Sequence, residues 1–225
     1  MTKIILVRHG QTVWNKLGKY QGQADIELSE EGQEQARLLG ERFPFDGIEA
    51  VYTSSLKRAR DTAEEVAKKF GLKVIPCQEF REISFGEWEG LTYDQIHAGW
   101  PEQHDMLFKS PDQLICPQGE GFMDVQARAV GKMLELVEKH EGQTVVVAAH
   151  GGVIRTMLCH ALGMPLKYMW RIRQDNTAFN VVSAYEEGMV VELMNSTNHL
   201  AEAGVNTLKD NFSAASVKGS AAMDD

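Results

Sequence analysis

The chain reads as an α/β protein whose buried sheet carries its chemistry at the strand ends. Three observations predict this. Residues 4–7 (Ile-Ile-Leu-Val) and 144–149 (Thr-Val-Val-Val-Ala-Ala) are short apolar runs rich in β-branched residues, the pattern of strands buried on both faces. Stretches with apolar residues at helical spacing alternate with such runs along the chain. Both runs then end in the same dipeptide, His9-Gly10 and His150-Gly151. In open α/β sheets ligands bind at the carboxyl ends of strands, so two such ends bring two imidazoles together if the strands are neighbours.

Taken in order, the first strand closes on Arg8-His9-Gly10. A cation, an imidazole and a glycine that lets a ligand approach the backbone suit an anion site. Residues 11–25 are polar and hold Gly18 and Gly22, which predicts a loop over the strand end. Ser29 offers a helix N-cap, Glu30 and Glu31 complement the dipole, and Pro44 ends the helix after Ala36, Leu39 and Phe43. Residues 50–53 read as the second strand. Ser54-Ser55 is expected to cap a helix with an apolar stripe of Leu56, Ala59, Ala63, Val66, Ala67 and Phe70, stopped by Gly71. Lys57, Arg58 and Arg60 gather in its first turn. Such a cluster is ordinarily a solvated face, but the dipole disfavours cations there, so an anionic partner would explain them. Residues 73–77 form a third strand.

Residues 80–90 mix carboxylates, large aromatics and glycines without a clean period. This predicts an ordered loop that partly desolvates a carboxylate and raises its pKa towards the range of proton transfer. On that argument Glu82, Glu87 and Glu89 are equal candidates. A short helix is expected over 92–98. Pro101, Pro111 and Pro117 then predict an irregular insertion, about 91–120, capping the site. Residues 121–140 form a longer helix that buries Val125, Ala129, Met133, Leu136 and Val137. After the second His-Gly comes a helix with Val153, Ile154, Met157, Leu158 and Leu162, whose free N–H groups suit an anion. Residues 178–185 and 189–194 flank Glu186-Glu187-Gly188 as a hairpin at one sheet edge. Past residue 198 the composition turns small and polar, giving a domain over 1–198 and a weakly ordered tail over 199–225.

With 225 residues, one domain is expected. A net charge of −9 argues against a nucleic-acid partner while leaving room for a locally cationic pocket. Cys77, Cys116 and Cys159 are far apart and lack paired spacing, so neither disulfides nor a zinc site are expected and a reducing compartment fits. The amino-terminal apolar run falls short of a signal peptide, and no run is long enough to span a bilayer. The expectation is a cytoplasmic globular protein with no membrane partner.

Arg8-His9-Gly10 after a strand, Ser54-x-x-x-Arg58-Ala59 opening a helix, Glu82 in an Arg-Glu-Ile-Ser-Phe-Gly-Glu-Trp-Glu-Gly loop and His150-Gly151 after an apolar strand stand in that order. Together they resemble the histidine phosphatase superfamily, branch 1, the phosphoglycerate-mutase-like group, over roughly residues 1–195. The resemblance implies a three-layer α/β/α sandwich with a mostly parallel central sheet. It implies a phosphohistidine at His9, catalysis by Arg8, Arg58, Glu82 and His150, and a phosphate pocket that adds Gln11, Thr12, Asn15, Gln21, Gly22 and Gly151. It also selects Glu82 among the three loop glutamates as the proton donor.

The expected activity is phosphomonoester hydrolysis on a small phosphorylated metabolite, with no metal and no other cofactor; a homodimer is compatible with it. The Phe-Gly-Glu-Trp-Glu-Gly loop is similar to that of α-ribazole phosphatases of cobalamin synthesis, which points to α-ribazole 5'-phosphate. Gly119-Glu120-Gly121 departs from the Gly-Glu-Ser common in that branch. Mutases of the group carry adjacent arginines in the insertion, whereas here Lys109 is the only firm cation between Trp88 and Pro117. A bisphosphoglycerate-dependent mutase is therefore the alternative, and a non-catalytic phospho-ligand-binding protein is the alternative of another class.

Overall fold

The computed structural model describes residues 1–205. The chain runs through β1 (Thr2–Arg8), a one-turn helix α1 (Val13–Lys16), α2 (Glu30–Glu41), β2 (Ile48–Ser54), α3 (Lys57–Phe70) and β3 (Val74–Cys77). It continues through α4 (Tyr93–Gly99), α5 (Pro101–Lys109), α6 (Phe122–Lys139), β4 (Thr144–Ala149), α7 (Gly151–Ala161), β5 (Phe179–Tyr185), β6 (Gly188–Ser196) and α8 (Asn198–Ala201).

The strands form one sheet in the order β3-β2-β4-β1-β5-β6. β3, β2, β4 and β1 are mutually parallel, and β5 runs antiparallel between β1 and β6. The sheet is therefore mostly parallel, with the hairpin at one edge. Successive strand residues face opposite sides. Ile4, Leu6, Val145 and Val147 pack under α6, α7 and the insertion, whereas Ile5, Val7, Val146 and Ala148 pack under α2 and α3. Each strand thus serves two cores, which is why its sequence is apolar without alternation. Among the described residues no helix is long and apolar enough to cross a membrane.

Four local expectations change. The loop over 11–25 contains α1, nucleated by a capping box between Thr12 and Asn15. Ser54 ends β2 instead of capping α3, whose N-cap position is Leu56 with no side-chain cap. The insertion is not irregular after Pro101, because a proline at N1 lacks only an N–H that the first turn cannot use, and it opens α5. The expected tail begins with α8, where His199 and Leu200 are buried. Residues 206–225 of that tail lie outside the described residues.

Trp88 is the largest fully buried side chain, packed beside Phe85 and His104 where the 80–90 loop meets the insertion. Trp88→Ala is expected to cost about 3–5 kcal/mol through lost burial and the cavity left behind. A urea denaturation series measures this, and a loss below ~1 kcal/mol would mean the loop does not depend on that anchor.

Candidate active site

The parallel pairing of β1 with β4 sets Arg8 beside Ala149, so the next residue of each strand, His9 and His150, emerges at the same end of the sheet. Their ring centroids lie 5.2 Å apart. The neighbouring strand β2 ends there too, delivering Ser54 and, in the first turn of α3, Arg58. Three strand ends therefore converge, as the paired His-Gly endings anticipated.

His9 is buried, and its Nδ1 lies 2.7 Å from the Gly10 carbonyl oxygen. A carbonyl can only accept, so Nδ1 carries the proton and Nε2 keeps its lone pair. Burial, reinforced by the charges of Arg58 and Arg8, holds the His9 pKa well below its ordinary value of 6.5. His150 is likewise pushed well down by burial, then by Arg58 and the neighbouring His9. Arg58 is 1 % exposed, and its terminal nitrogens donate to the carbonyls of Gly22 (2.7 Å) and Ala24 (2.8 Å). Burial lowers its pKa to about 10, so it stays charged at neutral pH. Its sequence neighbours differ: Lys57 pairs with Glu27 and Arg60 with Asp61 and Glu64 on the surface. The cluster divides into one inward guanidinium and a solvated remainder.

Arg8 Nη1 donates to Gln174 O. Three buried nitrogens here have no protein partner, namely Arg8 Nε, Arg58 Nε and His150 Nδ1. Buried donors are nearly always bonded. The two arginine nitrogens are donors, and two such groups left open beside the imidazoles suit an anion.

Glu82 lies in the loop between the Gln78–Phe80 and Gly86–Trp88 turns. Its Oε1 accepts from its neighbour Ile83 N–H (3.0 Å) and its Oε2 from Gly152 N–H at the start of α7 (3.1 Å). A Cβ on Gly152 would lie 2.5 Å from the carboxylate, so only glycine permits this approach. Glu82 is also within charge–charge range of Arg8 and Arg58. Glu87 is exposed, and Glu89 is spent on the backbone N–H groups of Gln23 and Phe85.

The remaining expected pocket residues are shared between the site and its scaffolding. Thr12 and Asn15 bond each other, and Gln21 Oε1 accepts from the Thr12 hydroxyl. Gln11 Oε1 accepts from Ser29 Oγ. Gly22 gives its carbonyl to Arg58, and Gly151 opens α7 against Arg8 and Arg155. The start of α2 presses on the same backbone, since a Cβ on Gly32 would meet Gln11 O at 1.9 Å.

Several residues at the site had no signal in the sequence. Asn176 Nδ2 and the Thr177 N–H both donate to the His9 carbonyl, at 3.0 and 3.3 Å. Thr177 stands in the left-handed region at φ +54°, a strain of about 1–3 kcal/mol. His199 of α8 bonds its hydroxyl at 3.0 Å. Arg128, on α6, donates to the carbonyls of Glu79, Arg81 and Glu82 and to both Glu120 oxygens. One guanidinium thus grips the backbone that carries Glu82.

His9, His150 and His199 (the last lowered by burial to about 4) are all neutral in the folded protein near pH 6. The unfolded chain takes up protons on them below about 6.5, so it binds more protons than the native state and is favoured as the pH falls. Stability should be full above pH 7 and decline below about 6.5, by about 1.4 kcal/mol per pH unit for each proton taken up. Urea midpoints measured from pH 7.5 to 5 check this; a flat profile would contradict the burial of neutral imidazoles.

A mostly parallel sheet that delivers two neutral imidazoles, two guanidiniums and a carboxylate to one point defines a phosphate-handling enzyme. Residues 4–197 match the histidine phosphatase superfamily (branch 1), and the chain belongs to that family and is a phosphatase. It is 36% identical over 202 residues to phosphoserine phosphatase 1 of Hydrogenobacter thermophilus, covering 90% of this chain and 96% of that one. It is 34% identical over 214 residues to the metal-independent phosphoserine phosphatase of Arabidopsis thaliana, covering 91% and 85% respectively. Among solved structures, Bacillus stearothermophilus YhfR superposes with a TM-score of 0.85 at 32% identity, over 89% of this chain and all of that one.

Proposed function

We propose that this phosphatase hydrolyses small phosphomonoesters, O-phosphoserine foremost, through a phosphohistidine at His9 and without a metal ion. The observation that carries the reading is the state of His9, a buried neutral imidazole whose Nδ1–H is held by Gly10 and whose Nε2 is free beside Arg8 and Arg58. Only the unprotonated nitrogen has a lone pair for phosphorus. In the first step Nε2 attacks, the P–N bond forms as the ester P–O bond breaks, and Glu82, entering as the acid, protonates the departing oxygen. In the second step the Glu82 carboxylate takes a proton from water, whose oxygen attacks phosphorus. The P–N bond breaks, inorganic phosphate leaves and His9 is neutral again. Arg8, Arg58 and His150 face the non-bridging oxygens throughout and need no rearrangement as charge shifts, which is where enzymic phosphoryl transfer gains most.

Phosphoserine takes precedence over α-ribazole 5'-phosphate because the named bacterial and plant relatives that align over nine-tenths of the chain are phosphoserine phosphatases. The metal-independent description of the plant protein supports the chemistry too. Hydrolysis takes precedence over mutase action because Lys109, the insertion's firm cation, is paired with Asp105 at 2.9 Å on the surface. The free, buried state of all three cysteines supports a reducing, cytoplasmic setting.

The test is phosphate release, with chelator present, from phosphoserine, α-ribazole phosphate, 3-phosphoglycerate and sugar phosphates. Chelator-resistant release with phosphoserine leading in kcat/KM is expected. Interconversion of phosphoglycerates without release would replace the phosphatase by a mutase. Binding of all esters with turnover of none would leave a binding protein.

A further inference from the structure

Ser54 is fully buried, and its Oγ lies 2.8 Å from His150 Nε2. The same oxygen accepts from the backbone N–H of Leu56 at 3.2 Å. We propose that Ser54 is a positioning residue that fixes the tautomer of His150, donating its hydroxyl proton to Nε2 so that Nδ1 carries the ring proton and donates to a bound phosphate.

The argument is an accounting of donors and acceptors. The Leu56 N–H can only donate, so one lone pair of Ser54 Oγ is already used. If His150 carried its proton on Nε2, Oγ would accept a second time and its own hydroxyl proton, at a fully buried position, would have no acceptor. Nδ1 would meanwhile present a bare lone pair with no donor. That arrangement leaves two buried groups unsatisfied. The reverse assignment leaves one, the Nδ1–H, and an anion satisfies it.

The arginines point the same way. Arg8 Nε and Arg58 Nε are buried donors without partners, and both charges act on His150. All three open nitrogens are then donors, the set a tetrahedral oxyanion needs. Because burial keeps both rings neutral, the tautomer decides what each does. His9 is locked by Gly10 O with Nε2 as nucleophile, and His150 is locked by Ser54 in the opposite sense as a donor. Two identical side chains 5.2 Å apart are divided into attacker and clamp by what stands behind each.

The donor role towards phosphate rests on the function proposed above; the tautomer does not, and the experiment separates them. Long-range proton–nitrogen correlation spectra of the full chain labelled with 15N-histidine, at pH 7.5, report the tautomer of each ring, with His150 assigned by its loss in His150→Asn. Wild type is expected to show His150 as the Nδ1–H form. Ser54→Ala should shift it to a mixture or to the Nε2–H form and weaken inorganic phosphate binding about tenfold, the loss of one hydrogen bond to a charged group. Ser54→Thr, which keeps the hydroxyl, should restore both. An Nε2–H signal for His150 in wild type would overturn the proposal even if Ser54→Ala fails to fold. An unchanged tautomer in folded Ser54→Ala would overturn it too. If wild type turns over no phosphate ester but shows the Nδ1–H form, the tautomer assignment stands and the functional reading fails.

Discussion

His9→Ala is expected to lower phosphate release by about 10⁴-fold or more, the scale on which removing a covalent nucleophile acts. The residual site explains the form of the loss. Arg8, Arg58, His150 and Ser54 keep their backbone and side-chain partners, since none of those bonds runs through the His9 imidazole. Substrate should therefore still bind, with the effect in kcat and little change in affinity for inorganic phosphate. Rapid quenching of wild type with phosphorus-labelled phosphoserine should trap an alkali-stable, acid-labile label on the protein, absent from the variant. Substantial turnover by the variant, or a label that persists in it, would remove His9 from the reaction.

Glu82→Gln should produce the second largest loss, about 10²–10⁴-fold on alkyl esters, the ordinary worth of a positioned acid–base group. Glutamine keeps the shape of the side chain but has a single acceptor oxygen, so it can keep only one of the two bonds that Ile83 and Gly152 N–H groups give to separate carboxylate oxygens. The variant loses a contact along with the proton, and the choice of leaving group separates the two. The loss should depend on the leaving group: serine alkoxide needs a proton as it departs, whereas nitrophenolate does not. With p-nitrophenyl phosphate the formation of the phosphohistidine should be nearly unimpaired and its breakdown slow, giving a burst of one nitrophenol per site. An equal loss with both substrates and no burst would mean that Glu82 positions substrate without moving a proton.

The two His-bearing strands were legible because burial on both faces leaves an unbroken apolar run, and a strand that ends at a ligand site changes polarity abruptly. Their adjacency was not legible. Nothing in residues 4–7 says that 145–149 lies alongside, because the partner is chosen by crossovers through α2, α3 and α6. Ser54 shows how a correct local reading misses a remote one. Its oxygen does meet an N–H near the start of α3, as a cap would, yet its contact with His150 exists only through the register of β2 against β4. Arg128 sits inside an 18-residue helix where an arginine ordinarily faces water. Pro101 looks like a breaker in the sequence, yet proline both ends and begins helices, and one residue of context does not separate the two. Asn176 and Thr177 lie in a stretch without period, so no pattern pointed to them.

The grip of Arg128 and Glu120 has a consequence for how such a protein can diversify. Glu120 accepts from the Ser84 N–H with its carboxylate and donates its own N–H to the Ser84 carbonyl, while the Glu87 N–H donates to Pro117 O. The segment carrying α4 and α5 therefore leaves and rejoins the fold at one stapled point. Glu82 lies on the inner side of that staple, tied to α6 and α7 instead of to the excursion beyond it. An exchange of residues 91–116 would have to replace Ile96, Leu107 and Leu114 in the core they share with Trp88 and α6, whereas the Arg128 and Gly152 bonds of Glu82 lie outside the exchanged stretch. Change in this segment is therefore expected at its exposed positions, with its core side chains and the Arg128–Glu120 pair retained.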